Sequence, residues 1–335
     1  MTDQATNSEP SVLGRPNSYI GKVVPRPNVR KLVRGKGRFV DDIKLPRMVH
    51  AVFVRSPHAH AKITGIDTSV AKGMPGVVRV VTGKELLDYC EPWVGVLTHF
   101  KTLKSAPQPA IAVDHVTWQG EAVAAVLASS RAEAEDAAAM VEVDYEVLPA
   151  VTDAETAGDP DTHVIHPELG DNIAFENSVD AGDVDKAFAE AACVVEQTFN
   201  FDRHTGVTLE PRVILADYDE ADDKLTVHMS NQAPHMMQHI FAKHIGVPEG
   251  QVRVVCGDVG GSFGIKVHVY ADEMATVALS KMIGRPVKYA ADRLESFLTD
   301  IHARMHRVHG KMAFDAEGHI TAMELDDLTG VGPYS

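Results

Sequence analysis

The stretch GDVGGSFG, residues 257–264, puts four glycines into eight positions and is followed at once by a helical pattern. Glycine takes positive φ without a Cβ penalty and lets another group reach the main chain, so such a cluster confines the backbone to a tight, bare turn. The preceding QVRVVCGD alternates like a strand, which places the turn between a strand and a helix. Two nucleotide-binding loops use that placement, and neither fits. A Walker A loop requires lysine and then a hydroxyl directly after its last glycine; here Ile265 intervenes before Lys266, and Val267 stands where the hydroxyl belongs. The dinucleotide fingerprint Gly-x-Gly-x-x-Gly fails on the order Gly257, Gly260-Gly261, Gly264. Two readings stay open, a plain tight turn and a backbone laid bare for a ligand. Upstream, in SNQAPHMMQHIF, Gln232 lies between a strand and Pro234, which opens a helix that Gly246 can close. Its carboxamide and the uncovered N–H groups of the turn can face one anionic oxygen together; a surface glutamine is the alternative.

The chain carries 32 basic and 47 acidic residues, a net charge of −15 spread along its length, so nucleic acid and anionic membrane are disfavoured as partners. The basic run between Arg26 and Arg38 has no interleaved aromatics and reads as a subunit contact rather than an RNA site. Cys90, Cys193 and Cys256 stand far apart without a Cys-x-x-Cys spacing, which argues against an iron–sulfur or structural zinc site and reads as reduced, mostly buried thiols. The polar start lacks a signal pattern and no run approaches the roughly 18 apolar residues of a membrane span; a cytoplasmic protein is expected.

The pattern is α+β. Residues 1–29 read as a disordered tail and extended arm, and 30–150 as one compact α+β domain. There, strands are expected over 48–56, 77–82, 121–128 and 141–148, and a helix over 130–140 with Ser130 as its cap and Glu133 completing a capping box. Residues 151–180, polar and rich in Asp, Gly and Pro, form a linker. Residues 181–335 hold a helix and strand over 183–201, a hairpin over 212–231, the helix from Pro234, strands over 251–258 and 285–290, and two alternating strands joined at 316–318. The chain stops at Gly-Pro-Tyr-Ser with no closing element, as though a sheet were interrupted.

Four segments, GRFVDDIKLPRMVHAVFVRSPHAHAKITGID (37–67), QGEAVAAVLASSRAEAEDAAAMVEVDYEVLPAV (119–151), SNQAPHMMQHIFAKHIGVPEGQVRVVCGDVGGSFGIK (230–266) and GRPVKYAADRLESF (284–297), closely resemble the molybdenum-binding subunit of the xanthine dehydrogenase, aldehyde oxidase and carbon monoxide dehydrogenase family. The resemblance runs in order from about Tyr19 onward. It implies an α/β hammerhead domain followed by the first part of a molybdopterin-binding α+β domain. It also implies a molybdenum–molybdopterin cofactor, in its cytosine dinucleotide form, held through the pterin dithiolene with no protein metal ligand. Gln232 resembles the family glutamine that hydrogen-bonds a molybdenum oxo ligand. Gly260, Gly261, Phe263 and Gly264 match a Gly-Gly-x-Phe-Gly turn whose backbone touches the cofactor and whose Phe borders the substrate pocket. Ser262 stands where the family usually has glycine; its Cβ costs about 1–2 kcal/mol if φ there must be positive, unless its hydroxyl serves the cofactor. Val267 replaces the glutamate that purine-oxidising members carry after the lysine, which counts against a purine.

The family's catalytic glutamate base lies outside this chain, so the resemblance implies the N-terminal half of a split or truncated subunit. Its expected partners are a chain with the missing C-terminal half, a 2Fe–2S subunit, an FAD subunit and a small-molecule substrate: an aldehyde, an N-heteroaromatic or carbon monoxide, oxidised with oxygen from water. The reading from another class is a non-catalytic hammerhead docking module with a vestigial cofactor half-site. Elsewhere, His302, His306 and His309 read as solvated strand histidines rather than zinc ligands, and His58 and His60 as a surface pair. Glu210 and Arg212 read as a structural ion pair rather than a catalytic carboxylate and its partner.

Overall fold

The computed structural model describes residues 18–95 and 102–334; of the tail and arm expected over 1–29, residues 1–17 lie outside them. The chain divides into a unit ending at Arg38 and a unit from Phe39 onward. In the first, the arm expected to be extended contains a short helix, α1 (Val29–Val33), with no buried residue. Arg30 and Lys31 sit in its last turn, at the negative end of the helix.

In the second unit the strands are, in chain order, β1 (Val49–Arg55), β2 (Ala61–Asp67), β3 (Val77–Thr82), β4 (His115–Val116), β5 (Ala122–Ala128), β6 (Glu142–Val147), β7 (Cys193–Phe201), β8 (Val213–Asp219), β9 (Lys224–Met229), β10 (Val252–Val255), β11 (Val287–Ala290), β12 (Met305–Phe314) and β13 (Ile320–Gly330). The helices are α2 (Ser69–Lys72), α3 (Gly83–Leu86), α4 (Arg131–Ala138), α5 (Val184–Ala189), α6 (Pro234–Ile245), α7 (Ala271–Ile283) and α8 (Arg293–Thr299).

Seven strands form a mixed sheet in the order β10-β9-β8-β11-β1-β5-β3, and two three-stranded sheets, β4-β2-β6 and β13-β12-β7, accompany it. All seven residues of β5 are buried, which explains its sequence AVAAVLA: a strand covered on both faces has room for small apolar side chains and none for alternation. One face packs Phe53, Leu127 and Tyr289 against Met237 and Phe241 of α6 and Leu279 of α7. The opposite face packs Val80 and Val126 against Ala134 and Ala137 of α4. At the N-terminus of α4, the Ser130 hydroxyl accepts the Glu133 N–H at 3.3 Å, as expected, but the Glu133 carboxylate takes the hydroxyls of Ser129 and Ser130 rather than the cap's own N–H.

Sequence reading does not reveal the join at the centre of the large sheet. Val49 of β1 pairs in parallel with Val287 of β11, so strands from before residue 130 and after residue 212 share one sheet. Residues 151–180 form no strand and only one 3-10 turn, Pro167–Leu169, and are tied down by Lys104 to Asp171 at 2.7 Å and by Glu155 to Arg307.

Among the described residues, the sheet β13-β12-β7 is covered on one side only. On that side α5 lies against it, with Lys311 4.6 Å over the Phe188 ring and Ala313 fully buried. Paired residues in antiparallel strands share a face, so Phe199 opposite Val308, and Val195 and Met323 opposite Met312, lie together on the other side. There Val195, Phe199, Phe201, Ile320, Met323 and Leu325 are 48–60% exposed. Cys193 is exposed at the start of β7 and Cys256 is partly buried; of the three thiols expected to be mostly buried, only Cys90 is fully so. Among the described residues no helix is long and apolar enough to cross a membrane.

Candidate functional site

Strands β9 and β10 are parallel neighbours joined by α6, so the chain segments leaving their C-terminal ends emerge side by side. That edge of a parallel pair is where open α/β sheets collect ligands. Gln232 leaves β9, and the glycine turn leaves β10. Pro234 occupies the first turn of α6 and Gly246 ends it in the left-handed conformation, so the helix has its expected bounds.

The two segments are bonded together. The Gln232 N–H donates to the Lys266 carbonyl at 2.8 Å, and Gln232 Oε1 accepts the Gly264 N–H at 3.1 Å. With its carbonyl so engaged, the exposed carboxamide has its NH₂ left to donate outward. The N–H groups of Gly261, Ser262 and Phe263 donate to no described residue. Gly261 has φ +103° and Gly264 φ +86°, whereas Ser262 is not among the positive-φ residues; its carbonyl accepts the Ile265 N–H at 2.8 Å and closes the turn. The condition for strain at Ser262 is therefore not met, and the positive φ falls on Phe263, at φ 48° and 76% exposed. A side chain held in the left-handed region costs about 1–3 kcal/mol and persists where its surroundings impose it. The facing loop is strained too, with Val207 at φ 39°.

Gly260 needs the absence of a side chain for a different reason: a Cβ there would lie 2.4 Å from the Glu210 Cβ. Glu210 holds Gly260 from both sides, donating its own N–H to the Gly260 carbonyl at 3.1 Å and accepting the Gly260 N–H on Oε2 at 2.7 Å. The same oxygen accepts the Ser230 hydroxyl at 2.6 Å and the Lys266 ammonium at 2.9 Å. Lys266 is buried, and desolvation pulls its pKa down although Glu210 acts in the opposite sense. Glu210 and Lys266 are 56 positions apart, so no local spacing announces them.

Glu210 and Arg212 do not pair with each other as expected. Arg212 is fully buried and bonds Asp272 through both terminal nitrogens at 2.6 and 2.9 Å and Asp300 at 2.6 Å, with the guanidinium 3.7 Å over the Tyr270 ring. Arg55 reaches the same Asp272 at 3.0 Å, Glu295 at 2.9 Å and the Tyr289 hydroxyl at 2.8 Å. Burial by itself raises the Asp272 pKa, but Arg212 and Arg55 outweigh it and hold the carboxyl well below the usual range. Next to it Glu273 is fully buried, and desolvation, only partly offset by Arg212, pushes it up to about 8. A carboxyl whose folded pKa is raised stabilises most below its unfolded value and loses that contribution as pH rises through the folded one. Glu273→Gln is therefore nearly neutral at pH 5 and increasingly stabilising relative to the parent towards pH 8.5, by at most about 1.4 kcal/mol per pH unit. Urea unfolding of both proteins across that range checks it; a difference that does not change with pH would refute the assignment.

The histidines serve structure. His306 and His309 lie on β12 with opposite faces; His306 meets Asp327 at 3.0 Å and His309 meets Glu196 at 3.1 Å, carboxylates of the flanking strands, while His302 precedes the strand. His60, expected at the surface, is buried and its Nδ1 lies 3.0 Å from the Pro149 carbonyl.

Residues 165–335 match the molybdopterin cofactor-binding domain family, and residues 34–149 match the a/b hammerhead domain family of aldehyde oxidase and xanthine dehydrogenase. The chain is 38% identical over 321 residues to the nicotine 6-hydroxylase large subunit of Paenarthrobacter nicotinovorans, covering 95% of this chain and 39% of that protein. To the carbon monoxide dehydrogenase large chain of Afipia carboxidovorans it is 34% identical over 344 residues, covering 98% and 42%. The crystal structure of quinoline 2-oxidoreductase from Pseudomonas putida 86 superposes with a TM-score of 0.91 at 34% identity, covering 95% of this chain and 40% of that one. The chain thus spans about two fifths of the length of these relatives. It belongs to the molybdenum hydroxylase large-subunit family of xanthine dehydrogenase, carbon monoxide dehydrogenase and aldehyde oxidoreductase, as an N-terminal part made of a hammerhead domain and part of the molybdopterin cofactor-binding domain.

Proposed function

We propose that this chain supplies the hammerhead domain and one wall of the cofactor site of a molybdenum hydroxylase large subunit, the rest of the site being formed by the part of the subunit beyond the matched residues. The observation that carries the reading is the Gln232 carboxamide, pinned by Gly264 so that its NH₂ can donate outward beside a turn with three N–H groups that donate to no described residue. A donor set of that kind fits a group rich in acceptor oxygens, as a molybdopterin cofactor in its cytosine dinucleotide form is. Gly261 and Gly264 leave the backbone bare for close approach.

When bound, the cofactor supplies two-electron oxidation of the substrate with water as the source of oxygen. The chain's own part is to bind and orient: Gln232 donates to an acceptor oxygen of the cofactor, the N–H groups of Gly261, Ser262 and Phe263 line its edge, and exposed Phe263 borders the substrate. The substrate class is an aldehyde, an N-heteroaromatic compound or carbon monoxide, and half-buried Val267 offers no carboxylate to a purine. Electrons leave through 2Fe–2S and FAD subunits, and the complex is cytoplasmic.

The apolar face of β13-β12-β7 that no described residue covers is the surface we assign to the remaining three fifths of the subunit. The relatives extend well beyond the matched part, and α5 already covers the opposite face, leaving large apolar side chains exposed on this one. Purification from the host under mild conditions, with metal analysis and mass spectrometry, tests both statements. Stoichiometric molybdenum and a pterin are expected, and Phe199→Glu should lower the molybdenum retained. A metal-free single chain would overturn the enzymatic reading in favour of a docking module, and a homodimer on this face would overturn the assigned occupant.

A further inference from the structure

The carboxylate of Glu210 closes a ring of hydrogen bonds around the glycine turn. From Oε2 the ring passes to the Gly260 N–H at 2.7 Å, along the turn to Gly264, across to Gln232 Oε1 at 3.1 Å, from the Gln232 N–H to the Lys266 carbonyl at 2.8 Å, and from the Lys266 ammonium back to Oε2 at 2.9 Å. Ser230, two residues before Gln232, braces the ring by donating to Oε2 at 2.6 Å and accepting from Lys266 at 2.8 Å. Three donors thus converge on one oxygen, while Glu210 Oε1 is buried and has no partner among the described residues. So lopsided an arrangement would gain nothing from core packing, because a buried, half-satisfied carboxylate is a liability there. It gains something as a device that sets one loop against another, since charge-assisted bonds are short and directional.

We infer that Glu210 is a positioning residue: it fixes the distance and angle between the Gln232 carboxamide and the N–H groups of the turn, so that both present their donors to one ligand. The inference rests on the cofactor reading for what that ligand is, but not for the mechanical role. Neither end of the ring is rigid alone. Gln232 is exposed, and the turn carries a strained, exposed Phe263 and no hydrogen bonds to described residues from its three central N–H groups. Glu210 joins them from a separate segment, the loop between β7 and β8, whose Thr208 hydroxyl donates to the Glu210 carbonyl at 2.6 Å.

Amide hydrogen exchange on the purified protein tests the inference with Glu210→Ala and Glu210→Gln. Glu210→Ala removes the acceptor; Glu210→Gln keeps an oxygen but removes the charge, and it preserves the test if the alanine variant does not fold. Exchange over residues 259–267 is expected to rise about tenfold or more in the alanine variant, the factor implied by losing one hydrogen bond to a charged group, and less in the glutamine variant. Exchange in β5 and α4 should stay unchanged in both, and molybdenum retained by the complex should fall in the same order. Unchanged exchange in the turn overturns the inference, as does a rise spread evenly over the unit, which is what a merely structural carboxylate would produce. If the turn loosens as expected but the parent complex holds no molybdenum, the positioning role stands and the cofactor reading falls.

Discussion

Replacing Arg212 by methionine is expected to destabilise the chain by about 3–5 kcal/mol, a large part of the roughly 5–15 kcal/mol available to a typical domain. The guanidinium is fully buried and is bonded to Asp272 and Asp300, with Glu273 at 3.5 Å. Methionine restores the volume but not the charge, so Asp300 is left buried beside Asp272, which keeps only Arg55. The size of the effect comes from stranded carboxylates rather than from the worth of the ion pairs themselves, since a buried pair recovers little more than its desolvation. Combining Arg212→Met with Asp300→Asn should therefore recover part of the loss. Urea denaturation of the three variants measures this; a shift below about 1 kcal/mol for the single change would show that the network relaxes or admits water.

Gly260→Ala is the second large effect, and it falls on the site rather than on global stability. The new Cβ would sit 2.4 Å from the Glu210 Cβ, an atom close to its own backbone that cannot swing away as a side-chain tip can. Either Glu210 or the turn must move, and with it the Gly260 N–H bond at 2.7 Å. Overpacking of this kind costs about 1–3 kcal/mol. Displacing donors by an ångström weakens a positioned site far more, so molybdenum retained by the purified complex should drop by about tenfold or more. Retention equal to the parent's, with a folded chain, would mean that the turn does not contact the cofactor. Gly264→Ala provides the contrast, because a Cβ there meets nothing within 4 Å and the strain comes only from its φ of +86°.

Much of this protein is written locally. The cap at Ser130, Pro234 and Gly246 at the two ends of α6, the hairpin of β8 and β9 and the alternation of β12 and β13 each depend on residues within a few positions of one another, and each forms as the pattern predicts. The position of Gln232 and the glycine turn on neighbouring loops is legible for the same reason, since one strand–helix–strand unit separates them. Glu210 and Arg212 show the limit. Two residues apart, they read as a pair, yet Glu210 finds its partners 20 to 56 positions away, at Ser230 and on the turn, and Arg212 finds its own 60 to 88 positions away, on α7 and after α8. His60, expected at the surface, shows the same limit: its burial against Pro149 is set by a neighbour that no short window contains.

The sequence by itself determined most of the secondary structure, the bare turn and, through long motifs, the family, because backbone conformation and hydrophobic period are properties of contiguous residues. Only the tertiary structure decided that β1 joins β11, that Glu210 rather than Arg212 supports the turn, and that one face of β13-β12-β7 stands open. Those outcomes depend on which distant groups meet after the chain has closed long loops, and a charge seeking a partner in a low-dielectric interior pairs by position in space, not by position in sequence.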